Sequence, residues 1–333
     1  MNLQENTQSV IGIKDKVVEA YNLLKNKMIF RQYGITGNEK LKDLINKIFK
    51  FPSWYNGDKT ISENIWIDGA TSMLTARSGS CSATYNEYIY IIGGGNTEYK
   101  KTKNERYNTI SNTWEDKSPL PTHRIDFIAM QSGSKVYCMG GWTDTFSNIN
   151  ESYDILTDTW STETNMPERC NACCASTIAP NNGNIYYFSK NRAFEYNPTT
   201  RTYTTKAALN RYYHTIQTVG DEIYAIGGRT DGSTDLSRSI KKYNTTTNTW
   251  TEGTQLPTGV IKATSSTKDN QIYVIGGNAN NLNQCYTIST NTWTTKAAIP
   301  ISIEDATSQR VDDNIFVFGG TGANSTSVKC YII

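Results

Sequence analysis

Histidine is nearly absent: His123 and His214 are the only two in 333 residues. That supply excludes histidine-rich metal centres. No apolar run approaches the roughly 20 residues needed to cross a bilayer. Met1-Asn2-Leu3-Gln4-Glu5-Asn6 leads into no apolar stretch, so no secretory signal is expected. Charge of one sign is also lacking, with a formal net charge of +2. No basic stripe with interleaved aromatics stands out, so neither nucleic acid nor membrane insertion is expected. Phosphate loops, nucleophile elbows and paired catalytic carboxylates are missing too.

The seven cysteines (Cys81, Cys138, Cys170, Cys173, Cys174, Cys285 and Cys330) are odd in number and scattered. No disulfide framework is expected, and the pattern fits synthesis in a reducing cytosol. Cys170, Cys173 and Cys174 form a C-x-x-C-C cluster with no second cluster to complete a zinc site, so they read as small buried thiols. Apolar residues make up 37%, while Asn, Thr, Ser and Tyr are abundant. That balance suits many small sheets with polar edges rather than a helical bundle.

What the chain does contain is one repeated phrase. Asp221-Glu222-Ile223-Tyr224-Ala225-Ile226-Gly227-Gly228 reads as an alternating apolar run ending in two glycines. It recurs at Ile89–Gly94, Val136–Gly141, Ile272–Gly277 and Ile315–Gly320, and more weakly at Ile185–Lys190, where the glycines are lost. A period in the forties means a propeller or another stacked array. Each unit continues through a polar loop to a tyrosine and, after a tight Asn/Thr/Asp turn, to a tryptophan. The pairs are Tyr107 and Trp114, Tyr153 and Trp160, Tyr243 and Trp250, and Tyr286 and Trp293, with Tyr196 and Tyr203 in the degenerate unit. A hairpin with a short turn explains that spacing, and the count gives four strands per unit. The last unit ends before any tryptophan, whereas Asn64-Ile65-Trp66 reads like Asn112-Thr113-Trp114. A strand from the N-terminal side is therefore expected to complete the sixth blade and close the ring.

These residues resemble the kelch family of β-propellers over about residues 64–333. The resemblance implies an all-β, six-bladed propeller and leaves function open, because such propellers include protein-binding modules and a few enzymes. Among the latter are copper-radical oxidases, built on two tyrosines, two histidines and a thioether-forming cysteine. The spacing here gives no sign of that set, so no cofactor and no catalytic role is expected. The aromatic residues of the repeat are expected to pack between sheets.

Residues 1–60 are of another kind and are expected to form a small helical segment ahead of the propeller at 61–333. Val17, Tyr21, Leu24 and Met28 recur at helical spacing, as do Leu41, Leu44, Ile45, Ile48 and Phe49, with Asn38 as an N-cap and Pro52 as the stop. This segment resembles short helical units near the N-termini of tail proteins from phages of Gram-positive bacteria. The resemblance implies a virion tail or baseplate protein, attached through residues 1–60 to other tail proteins. Its ring would bind a host-surface carbohydrate or protein. A homo-oligomer is compatible with this role. The alternative is a cytoplasmic scaffold for a protein partner, with a sugar-active oxidase or hydrolase third.

The expected binding face carries the connections between blades and the loops after the glycine pairs. Arg77, Arg124 and Arg211 stand sixteen residues before the first glycine of their units, with Arg169 in the matching place of the third. They are either guanidinium clamps for an anionic or sugar ligand or hydrogen-bonding partners of loop backbone. Trp142, Asp144 and Phe146 in unit two, and Arg229, Asp231 and Asp235 in unit four, lie in the variable loops beside Tyr212 and His214. Aromatic faces next to planar polar groups suit a saccharide, with ordinary loop packing as the competing reading.

Overall fold

The apolar run before each glycine pair is buried on both sides, so it does not alternate with polar residues. In the first such strand Ile89 and Ile91 join one core, and Tyr90 and Ile92 join the next. The computed structural model describes residues 63–333 except 96–100, 171–174, 179–182, 189–190, 231–232, 234–235, 279 and 322–324. The expected N-terminal helices therefore lie outside the described residues.

A short strand β1 (Ile65–Ile67) comes first. Blade one contains β2 (Cys81–Tyr85), β3 (Tyr88–Ile92), β4 (Asn104–Asn108) and β5 (Thr113–Asp116). Blade two contains β6 (Ile128–Ser132), β7 (Lys135–Met139), β8 (Asn150–Asp154) and β9 (Thr159–Thr162). Blade three has β10 (Ala175–Ile178), β11 (Ile185–Phe188), β12 (Ala193–Asn197) and β13 (Thr202–Lys206). Blade four has β14 (Tyr212–Val219), β15 (Glu222–Arg229), β16 (Ile240–Asn244) and β17 (Thr249–Glu252). Blade five has β18 (Thr264–Lys268), β19 (Gln271–Ile275), β20 (Asn283–Thr287) and β21 (Thr292–Thr295). Blade six takes β22 (Thr307–Val311), β23 (Asn314–Phe318) and β24 (Val328–Ile332), and β1 pairs antiparallel onto β24 as its fourth strand.

The inner strands β2, β6, β10, β14, β18 and β22 contact one another all the way round, and one apolar core fills each of the six gaps between blades. The glycine pairs permit this closeness. At Gly93 φ is +60°, and a Cβ there would lie 2.6 Å from the Phe127 ring and 2.9 Å from the Arg124 carbonyl of the next blade.

Closure repeats a device used in the other blades. In blade one Tyr107 donates to Asn112 Oδ1 (2.7 Å), the same oxygen accepts from Thr71 N (2.7 Å), and Trp114 Nε1 donates to the Thr71 carbonyl (2.9 Å). In blade six Tyr331 donates to Asn64 Oδ1 (2.6 Å), Ala297 N donates to the same oxygen (2.8 Å), and Trp66 Nε1 reaches the Ala297 carbonyl (2.8 Å). Asn64 and Asn112 share the left-handed backbone, with φ of 61° and 58°. Asparagine tolerates that region because its short side chain bonds locally. The expected closing strand is thus present, register included.

Trp66 anchors the closure, so its truncation should weaken the whole ring. Trp66→Phe removes the donor to Ala297 and should cost about 1 kcal/mol. Trp66→Ala also empties the contact with Tyr331, whose ring centre is 4.9 Å away, and should cost about 3 kcal/mol or more. Urea denaturation measures both; unchanged midpoints would mean that β1 does not hold the ring.

Candidate functional site

Arg77 and Arg124 point inward. Each guanidinium is buried. Arg77 Nη1 donates to the carbonyls of Ile91 (3.3 Å), Gly93 (3.1 Å) and Lys103 (3.1 Å), and Nη2 donates to Glu105 (2.7 Å). Arg124 repeats the set with Cys138, Gly140, Ile149 and Glu151. The sixteen-residue spacing is therefore the span of an internal hydrogen bond from arginine to the first glycine of its own unit. Burial pulls both guanidinium pKa values down, and the paired carboxylates offset this. These two arginines brace the blade and leave the candidate ligand set.

The bracing depends on the residue two before the repeat tyrosine. Blades one and two have Glu105 and Glu151 there; blades three and four have Phe194 and Lys241. Arg169 is exposed. Arg211 does enter, but among the described residues it bonds only to the Gly227 carbonyl (3.1 Å) and the Ser237 hydroxyl (2.7 Å). His214 is also a correction. It is buried one residue inside the rim, with neither ring nitrogen hydrogen-bonded, and burial assisted by Arg211 pushes its pKa down to about 3. Asp231 and Asp235 lie outside the described residues. Cys170 is disulfide-bonded rather than a free thiol, while Cys81, Cys138, Cys285 and Cys330 are free.

Two groups of side chains do reach the loop face. In blade two Trp142 and Phe146 are 37% and 42% exposed, with ring centres 5.0 Å apart at 79°. Their loop is held firmly. Trp142 exchanges two backbone hydrogen bonds with Ile125 (2.9 and 3.1 Å), and Ser147 N donates to the Gly141 carbonyl (2.9 Å). Asp144 at the tip meets His123 Nε2 at 3.0 Å and Lys101 Nζ at 3.8 Å. In blade four Arg229 lies opposite Tyr212 in the strand pair and stacks 4.9 Å from that ring and 5.2 Å from Tyr213. Lys262 of blade five adds a cation 5.7 Å from Tyr213 and pairs with Asp305 at 2.8 Å. Between these groups, blade three joins β11 to β12 through residues 189–192 alone, against 140–149 in blade two.

Sequence reasoning missed a belt around the axis. Gly79, Asp126, Tyr213, Lys262 and Asp305 occupy equivalent places, all with positive φ. Lys262 N donates to the Tyr213 carbonyl, Asp305 N to Lys262, Gly79 N to Asp305 and Asp126 N to Gly79, at 2.9–3.2 Å. The signal was available: each stands two residues beyond the arginine position of its unit. Burial, then the nearby Asp305 charge, push the Asp126 carboxyl up to about 6, with Lys262 opposing. Among the described residues no three His, Cys, Asp or Glu side chains gather as a metal site.

Two sequence models of the kelch motif match this chain, one at residues 76–121 and 129–167 and the other at 210–257. The chain is a six-bladed β-propeller that carries kelch motifs. It is 29% identical to Kelch-like protein 38 of Mus musculus over 58% of this chain and 34% of that protein. To Kelch-like protein 26 of Danio rerio it is 22% identical, over 82% of this chain and 49% of that protein. The chain thus spans half or less of these curated relatives. A structure titled "Structure of YjhT" superposes with a TM-score of 0.67 at 13% identity, covering 77% of this chain and 94% of that one; at that identity the likeness shows the fold alone.

Two outcomes follow from these contacts. Glu105→Gln strands a buried guanidinium and should cost about 3–5 kcal/mol, read as a fall in the urea midpoint. An unchanged midpoint would refute the bracing role of Arg77. Asp126 is protonated more readily folded than unfolded, so it favours folding most below pH 4 and loses that advantage as pH rises toward 6. Asp126→Asn should therefore stabilise by about 3 kcal/mol at pH 8 and by well under about 1 kcal/mol near pH 4, as read from denaturation at the two pH values.

Proposed function

We propose that this kelch propeller is a binding module that holds a protein partner on its loop face. Its anchors are Trp142 with Phe146 in blade two and the Tyr212–Tyr213–Arg229 stack in blade four. The observation that carries this reading is the Trp142–Phe146 pair. Two large aromatic rings are exposed yet held by backbone hydrogen bonds, so little ordering entropy remains to be lost when they are covered. Aromatic residues and arginine are also the side chains most enriched among energetically dominant interface contacts. The kelch resemblance adds that such propellers include protein-binding modules.

A second reading has support from one contact. Asp144, 66% exposed, sits at the tip of the same loop as the Trp142 ring, and a ring face beside a carboxylate suits a saccharide. A surface glycan is therefore the competing ligand for this patch, and the two readings share their residues.

A photo-cross-linker at Thr143 should trap a protein partner from cells that make this chain. Trp142→Ala should weaken that complex by about 2 kcal/mol, roughly 30-fold in Kd, without lowering the urea midpoint. Identical capture by wild type and the Trp142→Ala, Phe146→Ala double variant would sink the proposal. Retention on a glycan panel that needs Trp142, with no protein captured, would transfer the site to the saccharide reading.

A further inference from the structure

The axis of the ring contains a cavity of about 200 Å³ beneath the belt of Gly79, Asp126, Tyr213, Lys262 and Asp305. A second of the same size shares Gln217, Ser265, Ser308 and Gln309 with it and continues to Arg310, which is exposed. Most wall groups are already engaged from blade to blade. The Ser82 and Thr307 hydroxyls bond to each other, as do those of Thr215 and Ser265. Gln217 donates its amide to the Ser265 carbonyl (2.8 Å) and Gln309 to that of Ser82 (3.0 Å).

His214 breaks this pattern. It lines the upper cavity, is 7% exposed, and has no hydrogen-bond partner at either nitrogen. At the equivalent layer, one residue beyond the belt, blades one, two, five and six place Ser80, Phe127, Ala263 and Ala306. An imidazole there is thus particular to blade four among the described residues. A neutral imidazole offers one N–H donor and one acceptor lone pair. A buried group with both unused is costly unless something occupies the space beside it. The upper cavity has no charged side chain among its described lining residues, so its contents should be uncharged. The wall oxygens keep lone pairs free after their cross-blade bonds and can accept further donors.

We propose that the axial cavity binds a small uncharged polyol through His214, which both donates to and accepts from its hydroxyls, with Ser and Thr oxygens of the wall accepting the rest. This site is separate from the Trp142 patch and stands independently of it.

The chain's two histidines make the test direct. Protein labelled with 15N at histidine gives one imidazole signal set for His214 and one for His123, which serves as an internal control at the surface. Glycerol and glucose are titrated as probes, with acetate as a charged comparator. A saturable shift of the His214 nitrogens with either polyol, leaving His123 in place and absent with acetate, supports the site. His214→Phe, the residue blade two uses at this layer, should abolish the saturable binding seen by calorimetry. His214→Ala, as in blades five and six, serves if that variant does not fold. Unmoved His214 nitrogens with both polyols, or parallel shifts of the two histidines, would overturn the proposal and leave water as the sole occupant.

Discussion

The ring depends on one hydrogen-bonding arrangement in the outer hairpin of each blade. An aromatic side chain on the outermost strand, tryptophan in five blades and Tyr203 in blade three, donates to the carbonyl of the chain leaving the previous blade, at 2.8–2.9 Å throughout. The packed gaps between blades supply most of the apolar burial. Apolar burial is not directional, however, and does not by itself set the angle between two sheets. The indole and phenol donors do, because each fixes one outer strand against one exit segment. Closure through β1 is the same bond made between residues 231 apart in sequence, and it ties the two ends of the propeller into one cooperative unit.

The parts of this architecture that were legible in the sequence are those that every blade needs. A glycine that must approach the next blade and a tryptophan that must donate to the chain leaving the previous one recur at a fixed period, so even Asn64-Ile65-Trp66 could be assigned to blade six. The orientation of the arginines was not legible. The sixteen-residue spacing was visible, but it fits an internal bond and an external clamp equally well. The carboxylate that pairs with a buried guanidinium comes from a different strand, Glu105 or Glu151 where blades three and four have Phe194 and Lys241, and the pairing emerges only once blades are aligned residue by residue. His214 was misplaced for a local reason. Tyr213 adopts a left-handed conformation with φ of 58°, and that turn carries the next side chain inward from the rim. Trp142 and Phe146 stand out in the sequence because they depart from the repeat, and the structure leaves both rings exposed at the loop face.

The backbone is close to six-fold, but its chemistry is not. Blades one and two commit their arginines to buried carboxylates and carbonyls. Blade four leaves Arg211 without a carboxylate, places Arg229 on tyrosine rings at the surface and turns His214 toward the axis. These departures occur in one blade whose framework contacts are otherwise intact: Tyr243 still donates to Asn248 (2.7 Å), and Trp250 still holds Ala207 (2.9 Å). A propeller tolerates such local change because each blade contacts only its two neighbours, so a lost brace in one place is not transmitted round the ring.

That locality also limits where ligand contacts can arise. Strand residues on either face of a blade are committed to the two gap cores, and the outer hairpins to the donor contacts between blades. Among the surfaces left free are the loops after the glycine pairs and the inner wall of the axis. The belt of backbone hydrogen bonds from Tyr213 to Asp126 joins five of the blades at the axis, and His214 follows its Tyr213 member directly in the chain. A ligand beside His214 would therefore sit next to this belt, whereas one on the Trp142 patch would contact the variable loop of blade two.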